Sequence, residues 1–192
     1  MKYKALILVG LMAFSTVFAS DVPKDPKKQT SWGLYVDSKE AYEMKQKQGG
    51  KVLFVDVRDP IEIMFTGFTD VVDINIPFKL SNPNGWHKPP KQVFEMVTNT
   101  EFESLVAKAL KDRGLDKTAP ILLMCRSGGT RGAPSSKMLE GKGYKNVYVV
   151  TDGFEGGKIK KGDKKNWRLK NGWKNSGLPW GYKLNKEKMY FR

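Results

Sequence analysis

The sequence predicts an α/β fold in which a parallel sheet is flanked by helices and followed by an irregular C-terminal extension. Short, continuously apolar runs at residues 51–57 (KVLFVDV), 121–124 (ILLM) and 146–150 (NVYVV) have the composition of strands buried on both faces, as in a parallel sheet. The stretches between them carry helical spacing bounded by Gly and Pro, giving the order strand, crossover, strand, helix, strand. Beyond residue 157 both periodicities stop, and lysines, glycines and tryptophans take over.

Taken in order, Lys2 and Lys4 precede an apolar stretch over residues 5–17, and Val17, Phe18 and Ala19 form a cleavage pattern, so residues 1–19 read as a secretory signal peptide. The run falls short of the ~20 residues that span a bilayer, so no stable membrane insertion is expected after cleavage. Residues 20–37, with their prolines and lysines, read as an N-terminal linker. The main domain is expected over residues 38–157. Ser38 is the expected N-cap of a first helix that ends at Gly49 and Gly50. The strand at 51–57 then runs into Asp56, Val57, Arg58, Asp59 and Pro60, a charged cluster at a strand's carboxyl end, where open α/β sheets bind ligands. Residues 71–77 (VVDINIP) read as a third strand stopped by Pro77. Residues 78–90 are rich in turn formers and read as a long surface loop. Thr98 with Glu101, and Thr100 with Glu103, each fit a capping box ahead of an amphipathic helix that ends at Gly114. A helix over residues 134–140 is expected after the strand at 121–124, and residues 158–192 form the basic, aromatic extension.

The chemistry-bearing stretch is residues 121–131 (ILLMCRSGGTR). A buried strand ends in Cys125, and a helix opens at Gly132, Ala133 and Pro134, where proline is tolerated because a first-turn N–H has no helical partner. Successive amides at such a junction can converge on an anion, and Gly128 and Gly129 let the backbone turn tightly. Neighbouring arginines and a helix N-terminus favour the thiolate, the nucleophilic form of cysteine. The plain alternative is a buried structural Cys at a strand end.

Composition narrows the partners. The 34 basic and 20 acidic residues give a net charge of +14, and removal of Lys2 and Lys4 leaves 32 against 20, or +12. Such a balance raises nucleic acid as a partner for a cytoplasmic chain. Export and the scatter of the lysines argue against it, leaving small anions, acidic proteins or an anionic membrane surface. A single cysteine excludes an internal disulfide and leaves intermolecular pairing or a free reactive thiol, the latter favoured by its polar, cationic loop. His87, the one histidine, has no Cys or carboxylate neighbours in the pattern of a metal site. The aromatics of residues 167–180 (WRLKNGWKNSGLPW) could stack on bases or sugars. Packing onto the domain is the expected role.

With these residues in view, 52–156 resembles the rhodanese (sulfurtransferase) family, specifically its single-domain periplasmic members. VDVRDPIEIMFTGF followed by DINIP resembles the first family signature, CRSGGTR the active loop, and DGFEGG the C-terminal signature. The resemblance implies sulfur transfer in the periplasm from a small anionic donor, thiosulfate or polysulfide, to a thiophilic acceptor such as a thiol or a protein, with no metal or organic cofactor. Cys125 would be the nucleophile and carry a persulfide. Backbone groups of Arg126, Ser127, Gly128, Gly129, Thr130 and Arg131 would cradle the anion. Arg131 would point at the donor or brace the loop, Arg126 would face solvent and steer anions, and Asp56 with Arg58 would form an ion pair behind the loop or contact the substrate directly.

The loop also departs from the family. Five residues separate Cys125 from Arg131, where the usual rhodanese loop has four. Cys-dependent phosphatases and arsenate reductases share the five-residue spacing, which keeps oxyanion chemistry as an alternative. Against it, Met124 and Gly132 stand where phosphatases have His and Ser or Thr, and no general acid is assignable. A third reading is a non-catalytic sulfur carrier, redox sensor or docking module that uses the tail.

Overall fold

The computed structural model describes residues 20–191, so the expected signal peptide lies outside the described residues. In chain order the elements are β1 (Tyr35–Val36), α1 (Ser38–Gln48), β2 (Leu53–Asp56), α2 (Pro60–Thr66), β3 (Ile74–Asn75), β4 (Lys79–Trp86), β5 (Phe94–Thr98), α3 (Phe102–Asp112), β6 (Pro120–Met124), α4 (Gly132–Met138) and β7 (Asn146–Val150). Five strands form one parallel sheet in the order β1-β7-β6-β2-β3, with Asp56 beside Met124 at the carboxyl ends of its central pair.

Alternation explains why the central runs are apolar throughout. Leu53, Val55, Ile121 and Leu123 face one side, against Phe102, Val106 and Leu110 of α3. Val52, Phe54, Leu122 and Met124 face the other, against Ala41 and Met44 of α1 and Ile63 of α2. Each such side chain contributes about 1.5–3 kcal/mol on burial, so both faces of the sheet drive folding.

Several local expectations are corrected. Part of the stretch read as a linker joins the sheet, because Tyr35 and Val36 pair with Val149 and Val150. Asp37, not Ser38, caps α1: its carboxylate accepts from Lys39 N and Glu40 N, and Glu40 accepts from Asp37 N (2.8 Å). The Ser38 hydroxyl is already committed to Asp152 (2.7 Å). The third strand shrinks to two residues, since Asp73 accepts from Phe54 N (2.8 Å) through its side chain where a ladder bond would otherwise form. Helix α2 was not foreseen; Asp59 accepts from Ile61 N and Pro60 fills the first turn.

Residues 78–90 are not a loop. Strand β4 pairs antiparallel with β5 as a separate two-stranded sheet, and a register shift between Asn82 and Trp86 absorbs Pro83 and Gly85. Neither expected capping box caps α3: its N-cap is Glu101, without a side-chain cap bond, while Thr98 ends β5 and Asn99 accepts from Glu101 N (3.1 Å). Helix α4 begins two residues before the expected 134.

The extension is irregular and packs onto the domain. Trp173 is fully buried against Phe54 and Tyr42, and its indole N–H donates to Pro179 O (2.9 Å). Trp180 meets Phe154 edge-on, and Phe68 and Gly181 exchange backbone hydrogen bonds. Among the described residues, no helix is long and apolar enough to cross a membrane.

Candidate functional site

Strand β6 delivers Cys125 to the carboxyl rim of the sheet, and residues 126–131 wrap round to α4. The turn needs glycine at defined points. Gly128 has φ +63°, and a Cβ there would lie 1.7 Å from Thr151 O. A Cβ on Gly132 would come within 3.6 Å of Cys125 Sγ, so the sulfur sits directly beneath the first turn of α4. Gly153, in the DGFEGG stretch, has φ +64° and no room for a side chain beside Cys125 O and Ser127 N. That close approach lets Phe154 N donate to Cys125 O and Glu155 N donate to Arg126 O (2.8 Å each), holding the start of the loop from behind.

Within this frame, none of the six backbone N–H groups from Arg126 to Arg131 donates to another described residue. Paired amides are the rule in buried backbone, so a run of amides without a described partner, directly after a thiol, can bind an anion. Cys125 itself is 2% exposed and joins the apolar cluster of Val57, Leu123 and Leu139. The sequence suggested a more open, polar setting. The structure places the sulfur almost fully buried beneath the first turn of α4, so only a slender reagent reaches it.

The two loop arginines divide as follows. Arg131 turns inward, and both arms of its guanidinium bond Glu62 of α2 (Nη1 to Oε2 2.5 Å, Nη2 to Oε1 2.9 Å). Burial opposes its charge, but the hydrogen bond and charge of Glu62, with smaller pulls from Cys125 and Asp56, leave its pKa raised. It therefore braces the loop. Arg126 lies at the solvent edge and pairs with Glu155 (2.5 Å).

Asp56 and Arg58 form the expected ion pair, fully buried behind the rim (Nη2 to Oδ2 2.6 Å). Arg58 also donates to Thr66 Oγ1 and Gly67 O, and stacks over Phe154 at 4.0 Å. Their role is to lock the end of β2 to the segment that holds the sulfur loop.

Three residues near the loop escaped sequence reasoning. Glu62 carried a weak signal, an acidic residue in the first turn after a charged strand end. Lys28 lies across the loop, its Cε 3.8 Å from where a Gly129 Cβ would stand. Arg168, in the extension, lies 4.0 Å from Glu155, and the charge of Cys125 acts on it. Nothing local in the sequence tied Lys28 or Arg168 to the cysteine. Ser127 is half-buried and Thr130 exposed.

The rhodanese-like domain model matches residues 37–160, more than half of the chain. The chain belongs to the rhodanese-like family. As a rhodanese-like chain it is 33% identical over 84 residues to an uncharacterized protein from Rickettsia rickettsii, covering 44% of itself and 57% of that relative's length. The crystal structure of Rv0390 from M. tuberculosis shares the fold, with a TM-score of 0.55 and 24% identity over 78% of this rhodanese-like chain and 97% of that one. The solution structure of the 30 kDa polysulfide-sulfur transferase homodimer from Wolinella succinogenes aligns with a TM-score of 0.46 and 24% identity over 77% of each chain.

Proposed function

We propose that this chain is an exported, periplasmic sulfurtransferase that moves a sulfane sulfur from thiosulfate or polysulfide to a thiophilic acceptor through a persulfide on Cys125. The observation that carries the reading is the run of six amides, Arg126 to Arg131, that follows the chain's single thiol and donates to no other described residue, on a rhodanese-like domain. The Cys125 thiolate attacks the outer sulfur of thiosulfate, a new S–S bond forms, and sulfite leaves with the electron pair of the broken bond. The loop amides hold the anionic persulfide and the departing sulfite. A nucleophile such as cyanide then takes the outer sulfur as thiocyanate and returns the thiolate. The signal peptide expected at residues 1–19 supports the location, and the cationic rim formed by Lys28, Arg126 and Arg168 favours anionic reagents.

Covalent storage predicts ping-pong kinetics for thiosulfate and cyanide, with parallel double-reciprocal lines. Cys125→Ser should abolish thiocyanate formation. The five-residue loop supports a second reading, oxyanion chemistry of the phosphatase kind. Arg131, which would hold the oxyanion, is bound at both arms by Glu62 and weighs against it. Vanadate-inhibited hydrolysis of an aryl phosphate, without thiocyanate formation, would reverse the order of the two readings.

A further inference from the structure

We propose that the cleft between the sulfur loop and the hairpin at residues 157–171 binds a carboxylate-bearing organic thiol, which collects the sulfur held on Cys125. This rests on the sulfurtransferase reading and adds the chemistry of the acceptor.

The hairpin is built as a wall. Lys158 and Arg168 form an antiparallel bridge, Ile159 N donates to Trp167 O (2.8 Å), and Asn166 N donates to Ile159 O (2.9 Å). It is fastened to the loop's flank. Arg168 Nη1 donates to Gly156 O (2.6 Å), and the Asn175 amide donates to both Arg168 O and Glu155 O.

Between wall and loop lies a cleft of about 510 Å³, whose lining includes Arg126, Glu155, Lys158, Trp167, Arg168 and Lys174. Three cations, Arg126, Lys158 and Arg168, thus gather around one carboxylate, while the Lys174 ammonium donates to Thr66 O (3.0 Å) and lies over Trp180. Arg126 and Arg168 share the same Glu155 oxygen, at 2.5 and 4.0 Å, and Lys158 has no ion pair among the described residues. Burial and the neighbouring charge of Arg126 lower the Arg168 pKa, as expected for like charges crowded without enough anion between them. Trp167, 59% exposed, adds an apolar face.

A site of this kind wants negative charge at more than one point, joined by a short carbon skeleton that lies on the indole. Its volume falls in the range of organic-ligand pockets and far exceeds what cyanide or sulfite would fill. Arg126 of the lining follows Cys125 directly, and the charge of Cys125 acts on Arg168, so the cleft lies near the sulfur. The buried thiol admits only a slim donor, but the outer sulfur of the persulfide projects one S–S bond, ~2.05 Å, further toward the mouth. A bulkier acceptor can meet it there. Its thiolate attacks the outer sulfur, an S–S bond to the organic thiol forms, the bond to Cys125 breaks, and the electron pair returns to Cys125 Sγ. The product is an organic persulfide, and no oxidant or reductant is consumed.

Two measurements test this. The sulfur-loaded protein is discharged with mercaptosuccinate or with neutral 2-mercaptoethanol at equal thiolate concentration. Separately, calorimetry follows binding of 2-(methylthio)succinate, which cannot react, to Cys125→Ala. Mercaptosuccinate should be faster by about tenfold, the equivalent of one charge-assisted contact. Lys158→Glu and Arg168→Gln should each erase most of that preference and weaken binding of the unreactive analogue. Lys111→Glu, an equal charge change on α3, should leave the preference intact. Absence of preference and of binding, or a preference indifferent to Lys158→Glu, overturns the acceptor site while sulfur loading stands. Binding without any loading of Cys125 overturns the sulfurtransferase reading, and with it the acceptor role.

Discussion

Glu62 takes both arms of Arg131, and a guanidinium so engaged cannot turn toward a donor. Its work is to hold the far end of the sulfur loop against α2. Glu62→Gln keeps the shape and removes the charge, so stability should fall by about 1–3 kcal/mol, the worth of a charge-assisted bond at a buried partner, with slower persulfide formation. Urea denaturation and the loading rate read the two effects, and an unchanged midpoint would remove the brace. Gly128 is under a stricter constraint. With φ +63° and Thr151 O occupying the space of a Cβ, Gly128→Ala should cost about 3 kcal/mol or more, since backbone must move. A neutral Gly128→Ala would mean that the loop's path is softer than described. Cys125, Arg126 and Arg131 were legible because they lie in one contiguous motif with its own turn chemistry. Glu62 lies 69 positions from its partner, and Lys28 and Arg168 come from segments with no local pattern, so only the folded chain shows their nearness.

The central strands could be read because β2 and β6 are buried on both faces, which leaves a continuous apolar run. The edge strands β1 and β3 have two residues each, too few for any period to register. Strand β4 was hidden by Pro83 and Gly85, which mark loops in general but here sit in a register shift. Junctions between elements carry further consequences. Asp152, just past β7, accepts from Ser38 N, Ser38 Oγ and Gly172 N, tying α1 and the extension to the sheet's rim. Burial pushes its carboxyl above the usual range, although hydrogen bonds from Ser38 and Gly172 pull the other way. The folded state therefore holds this proton more tightly than the unfolded chain. Its contribution to stability is complete below the ordinary carboxylate pKa of about 3.9 and is lost as pH rises through the higher folded value. Urea midpoints measured across that window should decline for the wild type, and Asp152→Asn should remove this component. An identical pH slope in the variant would contradict it. Trp173 gives the extension its anchor: Trp173→Ala should cost about 3–5 kcal/mol, as for other buried tryptophans, and a loss under 1 kcal/mol would make the extension a mere appendage.

Across the molecule, three stretches distant in sequence converge on one rim. The end of β2 supplies the buried Asp56–Arg58 pair, the end of β6 supplies the thiol and its free amides, and the turn after β7 supplies the glycine that lets the loop lie close. The order of the three motifs made the family resemblance legible, and the domain match over residues 37–160 bears it out. The extension was harder to read, because composition shows only that it is basic and aromatic. Folding sorts its residues into Trp173, a core side chain, and a hairpin that walls a cationic cleft lined by Arg126 of the sulfur loop. All of these features serve one chemical requirement, a thiol that accepts a second sulfur and gives it up. Intact-protein mass spectrometry tests that most directly, before and after thiosulfate or polysulfide and again after cyanide. The account predicts a gain of one sulfur atom confined to Cys125, absent in Cys125→Ala and removed by cyanide. A mass unchanged by every donor would contradict it.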